Sequence, residues 1–327
     1  MNSMTMGRRS LLAGGIALGA AARPALAQAW PSRPVRLIVP YPPGGASDIT
    51  ARLLAQELST ALGQSFVVEN RGGAASIAGT QAVATAPADG YTLGVMDTAF
   101  VVNPALFGSR LPYDTRRDFT PVSLLVRAPL ALVVPASSPW QTVAELIAEG
   151  RAKPGALTFA SAGNGTAVHM AGEQFRQAAG FDYVHVPYRG GGPMITDLLA
   201  GRVQMAFGTV PAIAEHVRAG RLRALAVTGA ERSPLLPDVP SMAQAGLPQV
   251  DAALVNILVG PAGLPEPIVE RLAGAARAVV TSAAIRARLA ELGFEPVGST
   301  AVETRAGLDA DIPRWERIVR DGGVTPD

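Results

Sequence analysis

Cysteine is absent from the 327 residues, which excludes disulfides, thiol nucleophiles and zinc–thiolate centres together. Charged residues are sparse, 17% of the chain. The arginines are scattered, with Arg8-Arg9 and Arg116-Arg117 the only adjacent pairs, so no basic surface for nucleic acid is expected. Histidine occurs three times, at His169, His185 and His216. Those spacings match no metal-ligand motif, and no metal site is expected. A phosphate-binding G-x-x-x-x-G-K-[S/T] is missing, and Gly163-x-Gly165 does not complete a dinucleotide fingerprint, so no cofactor is expected. Ser161 follows a strand pattern and precedes a helical one, with three histidines available as bases. Position 159 is nevertheless Phe where a G-x-S-x-G nucleophile elbow places Gly, which weighs against a hydrolase.

Long apolar runs are lacking too. One stretch of about a dozen residues, Leu11 to Ala22, falls short of the ~20 that span a bilayer. It lies between Arg8-Arg9-Ser10 and Ala25-Leu26-Ala27, the layout of an export signal cut after Ala27, and the paired arginines resemble a twin-arginine signal. Residues 1–27 hold Arg8, Arg9 and Arg23 and no acid, so the formal charge of +2 becomes about −1 from Gln28 onward. Such a chain is expected in the periplasm, where disulfides are permitted and not required. The roughly 300 residues that remain exceed what one compact core usually organises, and two domains are the default.

Apolar strand-like runs alternate with helical periodicity. Val35–Val39 precedes Ile49, Leu53, Leu54 and Leu58, and Leu157–Ala160 precedes Val168, Ala171 and Phe175. This is the pattern of a parallel α/β sheet. Further strands are expected at Phe66–Glu69, Thr92–Met96, Ala131–Val134, Tyr183–Val186, Val203–Phe207, Leu222–Thr228 and Val255–Val259, and helices at Pro267–Val280, Ala283–Leu292 and Val302–Arg320. Proline-rich seams at Val126–Pro129 and Pro234–Pro248 are the expected crossings between two lobes, residues 28–127 with 249–327 and residues 128–248, with a ligand cleft between them.

Three loops at strand ends carry the chemistry. Tyr41-Pro42-Pro43-Gly44-Gly45-Ala46-Ser47-Asp48 joins the first strand to a helix that Asp48 is placed to cap. Its glycines let backbone approach a ligand, and the helix N-terminus suits an anion. Ser161-Ala162-Gly163-Asn164-Gly165-Thr166 repeats that logic from the other lobe, with Thr166 as cap. Tyr188-Arg189-Gly190-Gly191-Gly192-Pro193 is the third, with Pro193 expected at the first helical position and Gly201 as the stop.

These loops resemble those of the substrate-binding proteins of tripartite tricarboxylate transporters, the Bug-type periplasmic receptors. The similarity covers nearly the whole chain after the export signal. It is carried by Tyr41-Pro42-Pro43-Gly44-Gly45 with Asp48 and Arg52, Glu69-Asn70-Arg71, Ala88-Asp89-Gly90-Tyr91-Thr92-Leu93, Asn103-Pro104-Ala105-Leu106, Ser161 to Thr166 with His169, Val186-Pro187-Tyr188-Arg189-Gly190, Asp197-Leu198-Leu199, Asp238-Val239-Pro240-Ser241 and Pro261-Ala262-Gly263. The resemblance implies a periplasmic-binding-protein-like Venus flytrap of two α/β lobes, non-enzymatic and monomeric. Its ligand would be a small carboxylate: a di- or tricarboxylate, an acidic amino acid or an aromatic carboxylate. The implied partner is a two-subunit integral membrane transporter, with presentation to a sensor kinase as the alternative. By position, the ligand residues would be Tyr41, Pro43, Gly44, Gly45, Ser47, Asp48, Thr98, Ser161, Ala162, Gly163, Asn164, Gly165, Thr166, Tyr188 and Gly190. Three departures from the family pattern bear on specificity: Gly208 in place of a frequent aspartate, Ala75-Ser76 in a turn that is usually richer in glycine, and a Val255–Leu258 run lacking the usual aromatic and glycine.

Overall fold

The structure, a computed structural model, describes residues 30–73 and 75–326. The export signal and its cleavage point lie outside the described residues. The first half of the chain runs β1 (Val35–Val39), α1 (Ala46–Leu62), β2 (Phe66–Asn70), α2 (Ile77–Ala84), β3 (Thr92–Met96), α3 (Ala99–Phe107), β4 (Phe119–Pro135) and α4 (Val143–Ala152). Then come β5 (Thr158–Ser161), α5 (Ala167–Ala179), β6 (Val184–Pro187), α6 (Gly191–Leu199), β7 (Met205–Thr209), α7 (Val210–Arg218) and β8 (Leu222–Val227). The last part holds β9 (Ala253–Pro261), α8 (Glu266–Thr281), α9 (Ala283–Glu291), β10 (Glu295–Pro296) and α10 (Ala301–Gly322). Among the described residues no helix is long and apolar enough to cross a membrane.

The strands hydrogen-bond in the order β2-β1-β3-β9-β4-β7-β5-β6, with β8 and β10 as further partners of β4. β1 is parallel to β2 and β3, and β5 is parallel to β6 and β7, while β4 and β9 run antiparallel to their neighbours. Two parallel α/β lobes therefore share one long antiparallel pair. The alternation of buried strands with amphipathic helices follows from burying both sheet faces.

β4 is the largest departure from the sequence reading. Ala131–Val134 is only the tail of a 17-residue strand, and the Val126–Pro129 seam lies inside it. Phe119–Pro129 pairs with β9, and Leu130–Pro135 pairs with β7 and β8. Pro129, which cannot donate to a ladder, sits where β4 changes partners, and register shifts between Pro121/Ser123 and Leu124/Val126 absorb the other irregularities. Prolines that read as breakers thus mark a strand crossing between lobes.

One core cluster, with Val35, Leu37, Leu54, Leu58, Leu258, Leu272 and Val280, fills the α1 and α8 side of the first lobe. A second runs from Phe100, Phe119, Ile312 and Trp315 into Phe159, Phe175 and Phe207 of the other lobe. α10 belongs to this second cluster and starts from a capping box, Thr300 with Glu303. Its C-terminal end is tied to α5, since Arg176 Nη2 donates to Gly322 O at 2.6 Å and Gln177 Nε2 to Ile318 O at 3.0 Å. The return crossing is held as well. The buried Gln174 of α5 accepts from the N–H groups of Asp251 and Ala252 at 3.1 and 2.9 Å and donates to Asp251 Oδ1 at 3.0 Å.

Candidate functional site

β1 lies between β2 and β3, so the loop after Val39 emerges at the C-terminal edge of the first lobe's parallel strands. α2 approaches that loop through a glycine, because a Cβ on Gly79 would fall 2.8 Å from Pro40 Cα and 2.6 Å from Arg71 O. Gly44 takes φ +91, and a Cβ on either Gly44 or Gly45 would meet nothing within 4 Å. These two residues and Pro43 are exposed. Backbone here faces open space at the first turn of α1, where a helix leaves N–H groups without intrahelical partners.

The cap of that helix differs from expectation. Gly45 is the N-cap, and Asp48 is the third helical residue. Asp48 is buried, and its carboxylate accepts from Gly44 N, Arg52 Nε and Asn70 Nδ2, each at 2.9 Å. It therefore folds the loop back onto the helix instead of ending the helix itself. Burial pushes its carboxyl up, but the three donors and the Arg52 charge outweigh that and hold it below its ordinary value. Asn70 Nδ2 also donates to Tyr41 O at 3.0 Å. Ser47 is buried too, and accepts from Asn256 Nδ2 of β9 at 2.8 Å.

Tyr41 is half-buried, and its hydroxyl meets Asp97 and Ser76; burial, then the Asp97 charge, push it well above its ordinary value. Asp97 stands between β3 and α3, is 8% exposed, and accepts from Ala99 N at 3.0 Å. Burial pushes its carboxyl up to about 6, against the Tyr41 and Ala99 hydrogen bonds that lower it. Sequence reasoning missed Asp97; the available signal was a single acid directly after the apolar run Leu93–Met96. Thr98 is enclosed, with a hydroxyl that donates to Ala253 O at 3.1 Å and accepts from Val255 N at 3.3 Å, so it clamps β9. Beside the loop, Ala75 and Ser76 take φ of 53° and 72°, the left-handed conformation that glycine would adopt without strain.

The second loop follows β5. Ser161 is fully enclosed, with His185 Nε2 2.7 Å from its Oγ and Gly163 N donating to the same atom at 3.2 Å. Gly165 N donates to His169 Nδ1 at 3.1 Å. The His169 and His185 rings stack at 4.2 Å, 3° from parallel. Burial, with the charges of His185 and Arg176, lowers His169 to about 3, so its imidazole is neutral. Thr166 is the α5 cap as expected, accepting from His169 N at 3.3 Å. A Cβ on Gly165 would fall 2.7 Å from Leu106 Cδ1 and 3.5 Å from Asn103 Oδ1, which sets this loop against α3 of the opposite lobe.

The third loop leans on the second: Tyr188 N donates to Ser161 O at 2.9 Å and Gly190 N to Ala162 O at 3.1 Å. α6 begins at Gly191 after a Gly190 cap, which puts Pro193 at the third helical position, not the first. The Tyr188 hydroxyl donates to Asp197 at 2.8 Å.

The fifteen sequence-named residues divide into two groups. Ser47, Asp48, Thr98, Ser161 and Gly165 are enclosed, whereas Tyr41, Pro43, Gly44, Gly45, Ala162, Gly163, Asn164, Thr166, Tyr188 and Gly190 are half-buried or exposed. Asn256, His169 and His185 support the loops from beneath. Ser161 is sealed from solvent, with its hydroxyl turned to His185 Nε2 and the Gly163 N–H. Among the described residues no group of three or more His, Asp or Glu could hold a metal ion, and Gly208 has its Cβ space taken by Ile213 Cγ2, 2.5 Å away.

Two α/β lobes joined by paired crossings, with glycine loops and helix N-termini at the strand ends, define a periplasmic-type solute-binding protein. Residues 50–324 match the family described as tripartite tricarboxylate transporter family receptor, and the chain belongs to that family. It is 37% identical over 311 residues to the protein BugT of Bordetella pertussis, covering 94% of this chain and 95% of that one. A solved R. palustris protein, Rpa4515 with adipate, is 36% identical with a TM-score of 0.83, covering 91% of this chain and all of that one. MatC from Rhodopseudomonas palustris with bound malate is 31% identical with a TM-score of 0.79, covering 88% and 99%.

Proposed function

We propose that this protein is a periplasmic receptor that captures a small carboxylate and delivers it to a two-subunit membrane transporter. The observation that carries the reading is the exposed Gly44-Gly45 backbone over the first turn of α1, where a Cβ would meet no protein atom. A carboxylate there takes N–H donors without a buried arginine, each charge-assisted bond contributing about 1.5–3 kcal/mol. The half-buried Ala162 to Asn164 and Thr166 close from the other side. Ser47, Asp48, Thr98, Ser161 and Gly165 act by holding the loops in shape. Adipate and malate in two relatives support a dicarboxylate. The lobes of this reading are residues 28–127 with 249–327 and residues 128–248. They close by bending at the β4 and β9 crossings, the chain acts as a monomer, and it performs no catalysis.

Thermal denaturation of residues 28–327 with C4 to C6 dicarboxylates, aromatic carboxylates and acidic amino acids tests this. One carboxylate at 100 times its dissociation constant is expected to add about 2.7 kcal/mol, with its amide analogue giving nothing. Equal shifts from acid and amide would remove the anion clasp from consideration. An unchanged solution-scattering profile at saturation would argue against closure.

A further inference from the structure

Five asparagines occur in the chain, and Asn164 is the one followed by glycine. Asn2 precedes Ser3, Asn70 precedes Arg71, Asn103 precedes Pro104 and Asn256 precedes Ile257. The difference is chemical. The main-chain nitrogen of the next residue can attack an asparagine side-chain amide; a side chain on that residue hinders the approach, and proline has no N–H to lose. Gly165 presents neither obstacle. The Asn164 amide is weakly held, because its Oδ1 is buried with no hydrogen-bond partner among the described residues. Asn164 also lines a cavity of about 340 Å³ with His169, Glu173 and His185, room enough for the water that such a reaction consumes.

The folded loop restrains the attacking nitrogen in two ways. Gly163 O accepts from Thr166 N at 3.4 Å and from Thr166 Oγ1 at 2.7 Å, so Asn164 and Gly165 form the tip of a closed turn. Gly165 takes φ +74 while Asn164 keeps a negative φ, the combination of a type II turn, in which ψ of the Asn164 position is about +120°. That ψ turns Gly165 N away from the Asn164 side chain, and ring closure needs a rotation about the Asn164 Cα–C bond. Gly165 N–H also donates to His169 Nδ1 at 3.1 Å, and His169 is 3% exposed. The rotation would break this contact. Gly165 itself is buried, which keeps hydroxide from its proton.

We propose that Asn164-Gly165 is a deamidation site that the folded second loop holds in check through its turn and the His169 contact, and that conversion there dismantles the loop. In the reaction Gly165 N gives its proton to solvent base and bonds to Asn164 Cγ. The side-chain nitrogen leaves as ammonia, taking a proton back from solvent, and water opens the resulting succinimide at either carbonyl to give aspartate or isoaspartate. Isoaspartate carries the main chain through Cβ, one carbon longer at the tip of the Gly163–Thr166 turn. The Gly165 contact to His169 and the Thr166 cap of α5 then no longer fit together. This concerns the chemistry of the loop itself and stands whatever the ligand is.

The test is incubation of residues 28–327 in mildly alkaline buffer, folded and in urea, followed by digestion and mass spectrometry of the asparagine peptides. Conversion is expected at Asn164 and not at Asn70, Asn103 or Asn256, and more slowly in the folded protein than in urea. His169→Leu removes the acceptor and is expected to speed conversion of the folded protein about fivefold, the rate equivalent of one hydrogen bond. His169→Asn, which places an acceptor oxygen near the Nδ1 position, is expected to return the rate toward wild type. The isolated isoaspartate form should melt below the unconverted protein, and equal melting would show that the loop survives conversion and overturn that part of the proposal. Should His169→Leu fail to fold, amide exchange of Gly165 in the wild-type protein decides: slow exchange is expected, and exchange at the rate of an unstructured chain overturns the restraint. Equal conversion of folded and urea-unfolded wild type overturns it too. No conversion at Asn164 even in urea overturns the site.

Discussion

His185 and Ser161 lie 24 residues apart in sequence and meet at 2.7 Å, Nε2 to Oγ. The imidazole that makes this contact is stacked on His169, which in turn accepts the Gly165 N–H. One stacked pair therefore supports both ends of the second loop. The Gly163 and Gly165 N–H groups are turned inward to Ser161 and His169, so an incoming anion meets the rest of that loop.

Replacing His185 with Phe keeps a ring for the stack and removes the nitrogen. The Ser161 hydroxyl then loses a buried partner, and stability should drop by about 1–3 kcal/mol, seen as a lower urea midpoint. Ligand affinity should drop with it, because the loop is no longer pinned. His185→Gln restores a polar group near the Nε2 position and is expected to recover a large part of both. Equal stability of His185→Phe and wild type would show that the contact does not hold the loop.

Two glycines that look alike in sequence should behave differently. Gly45 has φ −80 and open space at its Cβ position, so Gly45→Val should fold normally and lose ligand binding. Gly165 has φ +74 and its Cβ would fall 2.7 Å from Leu106. Gly165→Val should be destabilised by about 1–3 kcal/mol or more, through strain and overpacking. Thermal melting with ligand titration separates the two outcomes, and wild-type binding by Gly45→Val would remove the first loop from the site.

Largely buried parallel strands were plain in the sequence: Val35–Val39 and Thr92–Met96 coincide with β1 and β3. So were the glycine loops, since apolar runs and glycine punctuation are local signals. The supports beneath the loops were not. Asn256 reaches Ser47 across 209 residues, and nothing near either one announces the contact. Asp48 was read as a cap because its residue type and its place before an apolar run fit that role. Only the course of the loop shows Gly44 donating back to it. In the sequence β4 reads only from Ala131, because Pro129 in the Val126–Pro129 seam satisfies the local rule for a break, and the partner exchange that tolerates it is tertiary.

Gln174 secures the return crossing through three hydrogen bonds to Asp251 and Ala252. Gln174→Leu matches its volume closely and abandons two N–H donors, each left unpaired at about 1–3 kcal/mol. Chemical denaturation should show the loss. Small-angle scattering should show a wider distribution of lobe separations if this contact restrains the hinge, and an unchanged distribution would confine Gln174 to stability.

Asp97 and His169 give opposite pH dependences to folding. The His169 imidazole is lowered from 6.5 to about 3, so between those values the unfolded chain binds the extra proton and stability falls on acidification. Asp97 is raised from 3.8 to about 6, so between those values the folded chain binds the extra proton and stability rises on acidification. Each contributes about 1.4 kcal/mol per pH unit inside its window. From about pH 6 to pH 4 the two cancel, and the wild-type protein should be nearly flat apart from ordinary carboxylates such as Asp48, which add lability at the acid end. Asp97→Asn removes one side of the balance. Its urea midpoint should fall steadily through that interval, whereas His169→Gln should show the reverse slope. Parallel pH profiles for both variants and wild type would mean that neither group is titrating as its burial dictates.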